Sequence, residues 1–358
     1  MRDSNDILKL VQKKETQLLH KAQRALIIQP GAIGDCILTL PLAKFMKESL
    51  GLGSVDILGN VEYIGMLPAR TIVDSVRSME TVDLHRLFAE PKAFHLPDRD
   101  PLISFFSQYS WIVTFLGEPG GSFEKNLIFT VYCGRSAEVV SLALKPPEGF
   151  EGHLAEFHIK ELVGQAGLVV KVRPYKVSEQ LINSSDADTN KGRELLQDAN
   201  VDLSKKLVVI HPGSGGKSKC WHLENFLAVA RKLAAKNIEV VFLLGPAEQE
   251  RFDKSAINEI NKTGKCISNL PLPEVVGLLS WAWAFAGNDS GITHLAAGMG
   301  IETIAIFGPS NPNIYRPVGP KVTILRGEPH TFATEPSEEM QQQLLKQLET
   351  AQSPKFNC

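Results

Sequence analysis

No apolar stretch in this chain approaches the roughly 20 residues that a bilayer-spanning helix needs, and its first residues are polar, so a secretory leader is not expected. Cysteine is sparse. The five, Cys36, Cys133, Cys220, Cys266 and Cys358, lie far apart. They form no CxxC pair and no metal-ligand spacing, which excludes a disulfide scaffold or a zinc knuckle and leaves reduced thiols in a cytosol as the expectation. An excess of one charge is also missing: 38 Lys+Arg against 40 Asp+Glu leave a net charge of −2, which offers nothing to a nucleic-acid backbone. What is there, 358 residues with 43% hydrophobic and 22% charged, suits a soluble protein of two domains rather than one core.

Along the chain, short apolar runs alternate with helical patterns. "ALIIQ" (25–29), "VDILG" (55–59), "WIVTFLG" (111–117) and "VVSLAL" (139–144) make a first set. "KLVVIHPG" (206–213), "IEVVFLLG" (238–245), "CISNL" (266–270), "AWAFAGND" (282–289), "TIAIFG" (303–308) and "VTILRG" (322–327) make a second. Continuous apolar runs joined by helices predict buried parallel strands with βαβ crossovers, hence an α/β protein of two doubly wound halves. The polar run "NSSDADTNKGRELLQDAN" (183–200) reads as the boundary between them. The expected domains are 24–185 and 200–330, flanked by a helical extension at 1–23 and a helix and tail at 331–358. Met340, Leu344, Leu345 and Leu348 share one side of that last helix. In the extension, Ile7, Leu10, Val11, Leu18 and Leu19 recur among lysines. A helix packed on the domain surface is the plainer reading, and a basic amphipathic helix on a membrane face the sharper one. Ligands of such sheets bind at the carboxyl ends of strands, here expected in a cleft between the halves.

Four strand-to-helix turns could carry chemistry. In "QPGAIGDC", Gly31 and Gly34 permit a tight turn and close backbone approach, and the spacing is not the GxGxxG of dinucleotide binding. Asp35 then reads either as an N-cap or as a general base kept ionised by the helix N-terminus. In "HPGSGGKSKCWHLENF", Gly213, Gly215 and Gly216 offer amides, Ser214 and Ser218 hydroxyls, and Lys217 and Lys219 charge. This makes an anion site without Walker spacing, or else a solvated loop. Trp221 reads as core. In "LLGPAE", Glu248 either accepts from ribose hydroxyls or complements the helix dipole. In "GNDSGITHLAAGMG", Asp289, Ser290 and Gly291 open a helix, with His294 early in it and by default a core histidine. Two anion-suited turns in one half suit a diphosphate.

Together "GAIGDCILTLP", "HPGSGGKSKCWHLENF", "LLGPAE" and "GNDSGITHLAAGMGIETIAIFGPSNP" resemble the ordered motifs of glycosyltransferase family 9, the bacterial heptosyltransferases, across roughly residues 24–325. The resemblance implies a GT-B fold, two Rossmann-like domains facing a cleft, with donor mainly on the second and acceptor mainly on the first. It implies an inverting transfer from a nucleotide-activated sugar, typically ADP-heptose, to a lipopolysaccharide-core or other surface-glycan acceptor. By motif position Asp35 matches the base, and Lys219 matches the lysine at the donor diphosphate. Ser214 and Gly215 fall where donors to the phosphates sit, Ser290 and Gly291 at phosphate, Asp289 toward the sugar, and His294 in the same turn. Glu248 matches the ribose acid, and Leu270 lies near the adenine wall. Residues 85–110 look loop-rich, and acceptor specificity is expected in such loops of the first half.

Lysine and helix-end amides can stabilise a departing diphosphate without a metal, so no cofactor is expected, with magnesium at most assisting. The "DAD" at 186–188 reads as solvated charge rather than a metal motif. Many relatives carry Lys-Arg-Trp-Pro where this chain has Lys219-Cys220-Trp221-His222, so a cation is missing beside the phosphates, and Lys217 is the expected substitute. The setting expected is the cytoplasm, with peripheral contact at the inner membrane face. A non-catalytic nucleotide-sugar binder and a Rossmann-type oxidoreductase are the rival readings.

Overall fold

A strand begins and ends close to each of the apolar runs. In the computed structural model, which describes residues 23–134, 137–170 and 177–351, the described strands form two sheets. The expected extension therefore lies outside the described residues, apart from Gln23. The first sheet comprises β1 (Arg24–Gln29), β2 (Ser54–Gly59), β3 (Ser75–Ser78), β4 (Trp111–Thr114) and β5 (Glu138–Ser141), in the order β3-β2-β1-β4-β5. The second comprises β6 (Leu207–His211), β7 (Glu239–Leu244), β8 (Lys265–Ser268), β9 (Ala284–Asn288), β10 (Thr303–Phe307) and β11 (Val322–Arg326), in the order β11-β10-β9-β6-β7-β8. Every pairing is parallel.

Parallel strands covered on both faces need apolar side chains on both, which is why the runs do not alternate. Ala25 to Ile28 and Leu207 to Ile210 are all buried. β3, of sequence SVRS, has no such run; it sits at the sheet edge and the sequence pattern missed it. β4 stops at Thr114, earlier than expected, because the Thr114 hydroxyl accepts from Leu116 N at 2.9 Å and turns the chain.

The chain divides into two compact units. Among the described residues, one takes in those up to Ala32, Thr39–Phe150 and the stretch from Leu154 to 170. The other takes in Ile33–Leu38, Glu151–His153 and everything from 177 on. The core of the first gathers Leu26, Ile28, Leu58, Phe106, Ile112 and Leu127; that of the second gathers Ile210, Phe226, Leu233, Phe242, Ala286 and Ile306. The C-terminal helix Glu338–Thr350 seats Met340, Leu344 and Leu348 in the second core, each apolar side chain contributing about 1.5–3 kcal/mol by burial.

Two expectations are corrected. The polar run around 183–200 is no linker. Ser185 caps a helix, Asp186–Asp198, in a capping box with Asp188: the Ser185 hydroxyl accepts from Asp188 N, and the Asp188 carboxylate accepts from Ser185 N at 2.9 Å. The second correction is half of the "DAD": Asp188 is buried and committed to that cap, while Asp186 is exposed as expected. Gly192 lets this helix meet the helix Leu272–Leu279 at Gly277 so closely that a Cβ on either would overlap the other's backbone. The stretch 85–110 is loop-rich as expected: 89–100 has no regular element, and between the 3-10 turn Leu84–Phe88 and the helix Pro101–Phe106 it is tied by a two-point Arg86–Asp100 ion pair at 3.1 and 2.7 Å. That guanidinium, together with Leu102 N–H, holds the Asp100 carboxyl below its ordinary range against the opposing effect of burial.

Candidate active site

In the second sheet the chain leaves β6 toward β7 and leaves β9 toward β10, in opposite directions. The carboxyl ends of β6 and β9 therefore flank a topological switch point, where loops diverge and open a crevice. Asn288, fully buried at the end of β9, ties the two ends together. Its Nδ2 donates to Pro212 O at 2.7 Å, and its Oδ1 accepts from Trp221 N at 3.0 Å. Ser214 Oγ donates to Asp289 O at 2.6 Å. Trp221 is core and meets the Phe226 ring edge-on at 5.2 Å.

Charge concentrates where these loops meet. Lys219 Nζ lies 2.7 Å from Asp289 Oδ2, and Ser310 Oγ donates to the same oxygen at 2.7 Å. His294 Nε2 is 3.8 Å from Asp289 Oδ1. The Asp289 side chain is only 7% exposed, whereas that of Lys219 is 41% exposed. Burial alone would raise the Asp289 carboxyl, but His294 and then Lys219 outweigh it and hold the group well below the usual carboxylate range. Asp289 is thus a carboxylate held ionised to unusually low pH, and Lys219 a half-exposed cation bound to it.

The helix Gly291–Gly298 starts at this point. Ser290 is its N-cap, accepting from Thr293 N at 3.3 Å, so the hydroxyl serves the helix first. Gly291 is required by contact: a Cβ there would come 2.6 Å from Ile33 Cβ and 3.2 Å from Gly34 N. The N-terminus of the helix Ile33–Ser49, whose first turn counts with this unit, is therefore packed on the N-terminus of Gly291–Gly298. A Cβ on Gly34 would in turn meet the His294 ring at 3.4 Å. Asp35 is exposed, in the first turn of its helix. Its charge reaches Cys36, whose thiol is pushed up to about 12, by burial first and by Asp35 second. It also reaches Tyr315, which burial raises, Lys219 lowers, and Asp35 and Asp289 raise further. Asp35, Lys219, Asp289 and Tyr315 hence share one electrostatic neighbourhood.

Other expected residues have quieter settings. Gly31 N donates to Gln29 Oε1 at 2.9 Å in the first unit. Glu248 is buried, with its Oε2 accepting from the N-cap Gly245 N at 2.7 Å and its Oε1 against Gly213. Leu270 is half-buried, two residues past β8 rather than in the strand expected to reach it. Lys217 is exposed. The sequence reading missed Ser310, Tyr315 and Arg251; the last donates to Ser214 O at 2.5 Å and to Gly215 O at 2.7 Å. No local pattern marks them, because each acts on a loop distant in sequence. Among the described residues, no group of three or more His, Cys, Asp or Glu could hold a metal ion, and no helix is long and apolar enough to cross a membrane.

Residues 174–346 match the family model of glycosyltransferase family 9 (heptosyltransferase). The chain is 31% identical over 121 residues to lipopolysaccharide heptosyltransferase 3 of Escherichia coli, covering 32% of this chain and 35% of that protein. A protein of the same name from E. coli K12 is 24% identical over 299 residues, covering 79% of this chain and 82% of the relative. The first of these alignments thus spans about a third of the relative's own length. Among solved structures, E. coli ADP-heptose lps heptosyltransferase II superposes with a TM-score of 0.67 at 16% identity, covering 92% of this chain and 98% of the other. E. coli heptosyltransferase WaaC with ADP gives 0.60 at 17%, covering 91% and 100%. The expected α/β fold of GT-B type, with two Rossmann-like domains, is borne out, and the chain is heptosyltransferase-like.

Proposed function

We propose that this chain, which carries the glycosyltransferase family 9 signature over residues 174–346, is an inverting glycosyltransferase that moves a heptose from ADP-heptose to a lipopolysaccharide-core acceptor. The observation that carries the reading is the joining of the Lys219–Asp289 pair, the Gly-rich turn and the start of the helix Gly291–Gly298 at one switch point, with Asp35 in the same electrostatic neighbourhood. A leaving diphosphate needs fixed positive charge and amide donors, and a hydroxyl nucleophile needs a base.

Asp35 takes the proton of the acceptor hydroxyl. The oxygen attacks the anomeric carbon as the bond from that carbon to the diphosphate oxygen breaks. ADP leaves with the electron pair, and a single displacement inverts the centre. Lys219 and the amides of Gly215 and Gly291 meet the phosphate charge. Asp289, held ionised, keeps Lys219 over the site and faces the sugar, with Ser290, Ser214 and His294 shaping the same turn. Glu248 and Leu270 lie toward the nucleoside, at the ends of β7 and β8. The acceptor is a glycolipid met at the inner membrane face, from the cytoplasm, with Gly34 giving it backbone access.

The test is nucleotide release from ADP-heptose, UDP-glucose and GDP-mannose in the presence of a heptose-deficient lipopolysaccharide core. ADP release that requires both donor and acceptor is the expected result. Release from UDP-glucose alone, or from none of the three, overturns the assignment.

A further inference from the structure

The glycine-rich turn after β6 is held from two sides. On one, Asn288 and Asp289 bind it through Pro212 O and the Ser214 hydroxyl. On the other stands Arg251, the last residue of the helix Pro246–Arg251. Its Nη1 donates to Ser214 O at 2.5 Å and its Nη2 to Gly215 O at 2.7 Å, and Nη1 lies 3.6 Å from Cys220 Sγ. One planar guanidinium thus grips two successive carbonyls, a grip that matches its fork of donors.

The peptides here are trans, and a trans peptide sets each carbonyl opposite the N–H of the following residue. With the carbonyls of Ser214 and Gly215 drawn to Arg251, the N–H groups of Gly215 and Gly216 face the other way. Among the described residues neither donates to a protein acceptor. A Cβ on Gly215 would meet nothing within 4 Å, so the space beside it is open. Successive free amides of this kind form an anion-binding concavity. A cation bound to the carbonyl side also polarises each peptide and strengthens its N–H as a donor.

We propose that Arg251 is a positioning residue that orders the amides of Gly215 and Gly216 for the donor's diphosphate, acting through the backbone and not touching the phosphates. The same guanidinium lies beside Cys220, its Nη1 3.6 Å from the Sγ, so the turn gains its cation from the end of another helix. Lys217 is exposed on the same turn. The inference rests on the donor reading given above.

The experiment is calorimetric titration of the full chain with inorganic pyrophosphate and, separately, ADP, for wild type, Arg251→Ala and Arg251→Lys, with the melting temperature of each as a control. Arg251→Ala is expected to weaken both ligands about tenfold, the scale of one charge-assisted contact, at an unchanged melting temperature. Arg251→Lys is expected not to restore the affinity, because a single ammonium does not fork across two carbonyls. Unchanged pyrophosphate affinity in Arg251→Ala, or full recovery in Arg251→Lys, overturns the proposal. Wild type that binds pyrophosphate but not ADP overturns the donor reading and leaves the clamp standing. Wild type that binds neither overturns the clamp.

Discussion

The two sheets are built alike and equipped differently. Each is parallel, and each reverses its strand order once, between β1 and β4 in the first and between β6 and β9 in the second. At the first reversal three uncharged side chains, Gln29, Thr39 and Thr114, make the hydrogen bonds. Gln29 takes Gly31 N at 2.9 Å and donates to the Thr39 hydroxyl at 2.7 Å, and Thr114 Oγ1 accepts from Leu116 N at 2.9 Å. At the second, a buried carboxylate, an ammonium, an imidazole and a helix N-terminus meet. Topology therefore supplies two crevices, and the charge of their side chains sets them apart.

The strongest break of this contrast is at Asp35. Asp35→Asn is expected to lower turnover by about 10²–10⁴-fold, the usual worth of a general base, with ADP affinity unchanged by calorimetry. If the same loss appears in ADP binding, Asp35 serves the donor and not the acceptor.

Lys219→Ala comes next. Loss of a charged phosphate contact is expected to weaken ADP by roughly ten- to a hundred-and-fifty-fold. It also strands Asp289 without its lysine. Because Lys219 is 41% exposed, water takes up part of that loss, and the stability cost is expected near 1–2 kcal/mol rather than the larger figure for a fully buried pair. Urea unfolding measures it.

The acid limb of stability sharpens the comparison further. Asp289 titrates below its unfolded value of about 3.9. Its contribution is therefore full above that value and is lost as the pH falls through the lower folded one. The urea midpoint of the wild type is expected to drop more steeply between pH 6 and pH 3 than that of Asp289→Asn. Parallel curves would mean that the carboxylate is not held ionised by its neighbours.

Smaller effects belong to the neutral crevice. Thr39→Val strips Gln29 Nε2 of its partner and is expected to cost about 1–2 kcal/mol of stability without changing ADP affinity. EDTA is expected to leave turnover roughly where it was, since lysine and amides carry the phosphate charge. A collapse of the rate would assign that task to a divalent cation.

Much of this was legible in the letters. Apolar runs located ten of the strands, and the turns after β6 and β9 marked the switch point where Lys219 and Asp289 meet. β3 was hidden because an edge strand needs no apolar run. The helix Asp186–Asp198 was hidden by its polar face, although Ser185 and Asp188 have the spacing of a capping box. Arg251, Ser310 and Tyr315 were hidden for another reason. Their partners lie tens of residues away, and periodicity registers only neighbours. The pairing of Lys219 with Asp289, 70 positions apart, is of the same kind: each was named alone, and only the fold makes them a couple.

Gly213 has one more consequence. The Glu248 carboxylate occupies the volume into which a side chain at 213 would grow. A mutational library at position 213 would therefore score as a library at Glu248, since even alanine evicts that acid from the end of β7. A library at Leu270, which is half-buried, would carry no such hidden substitution.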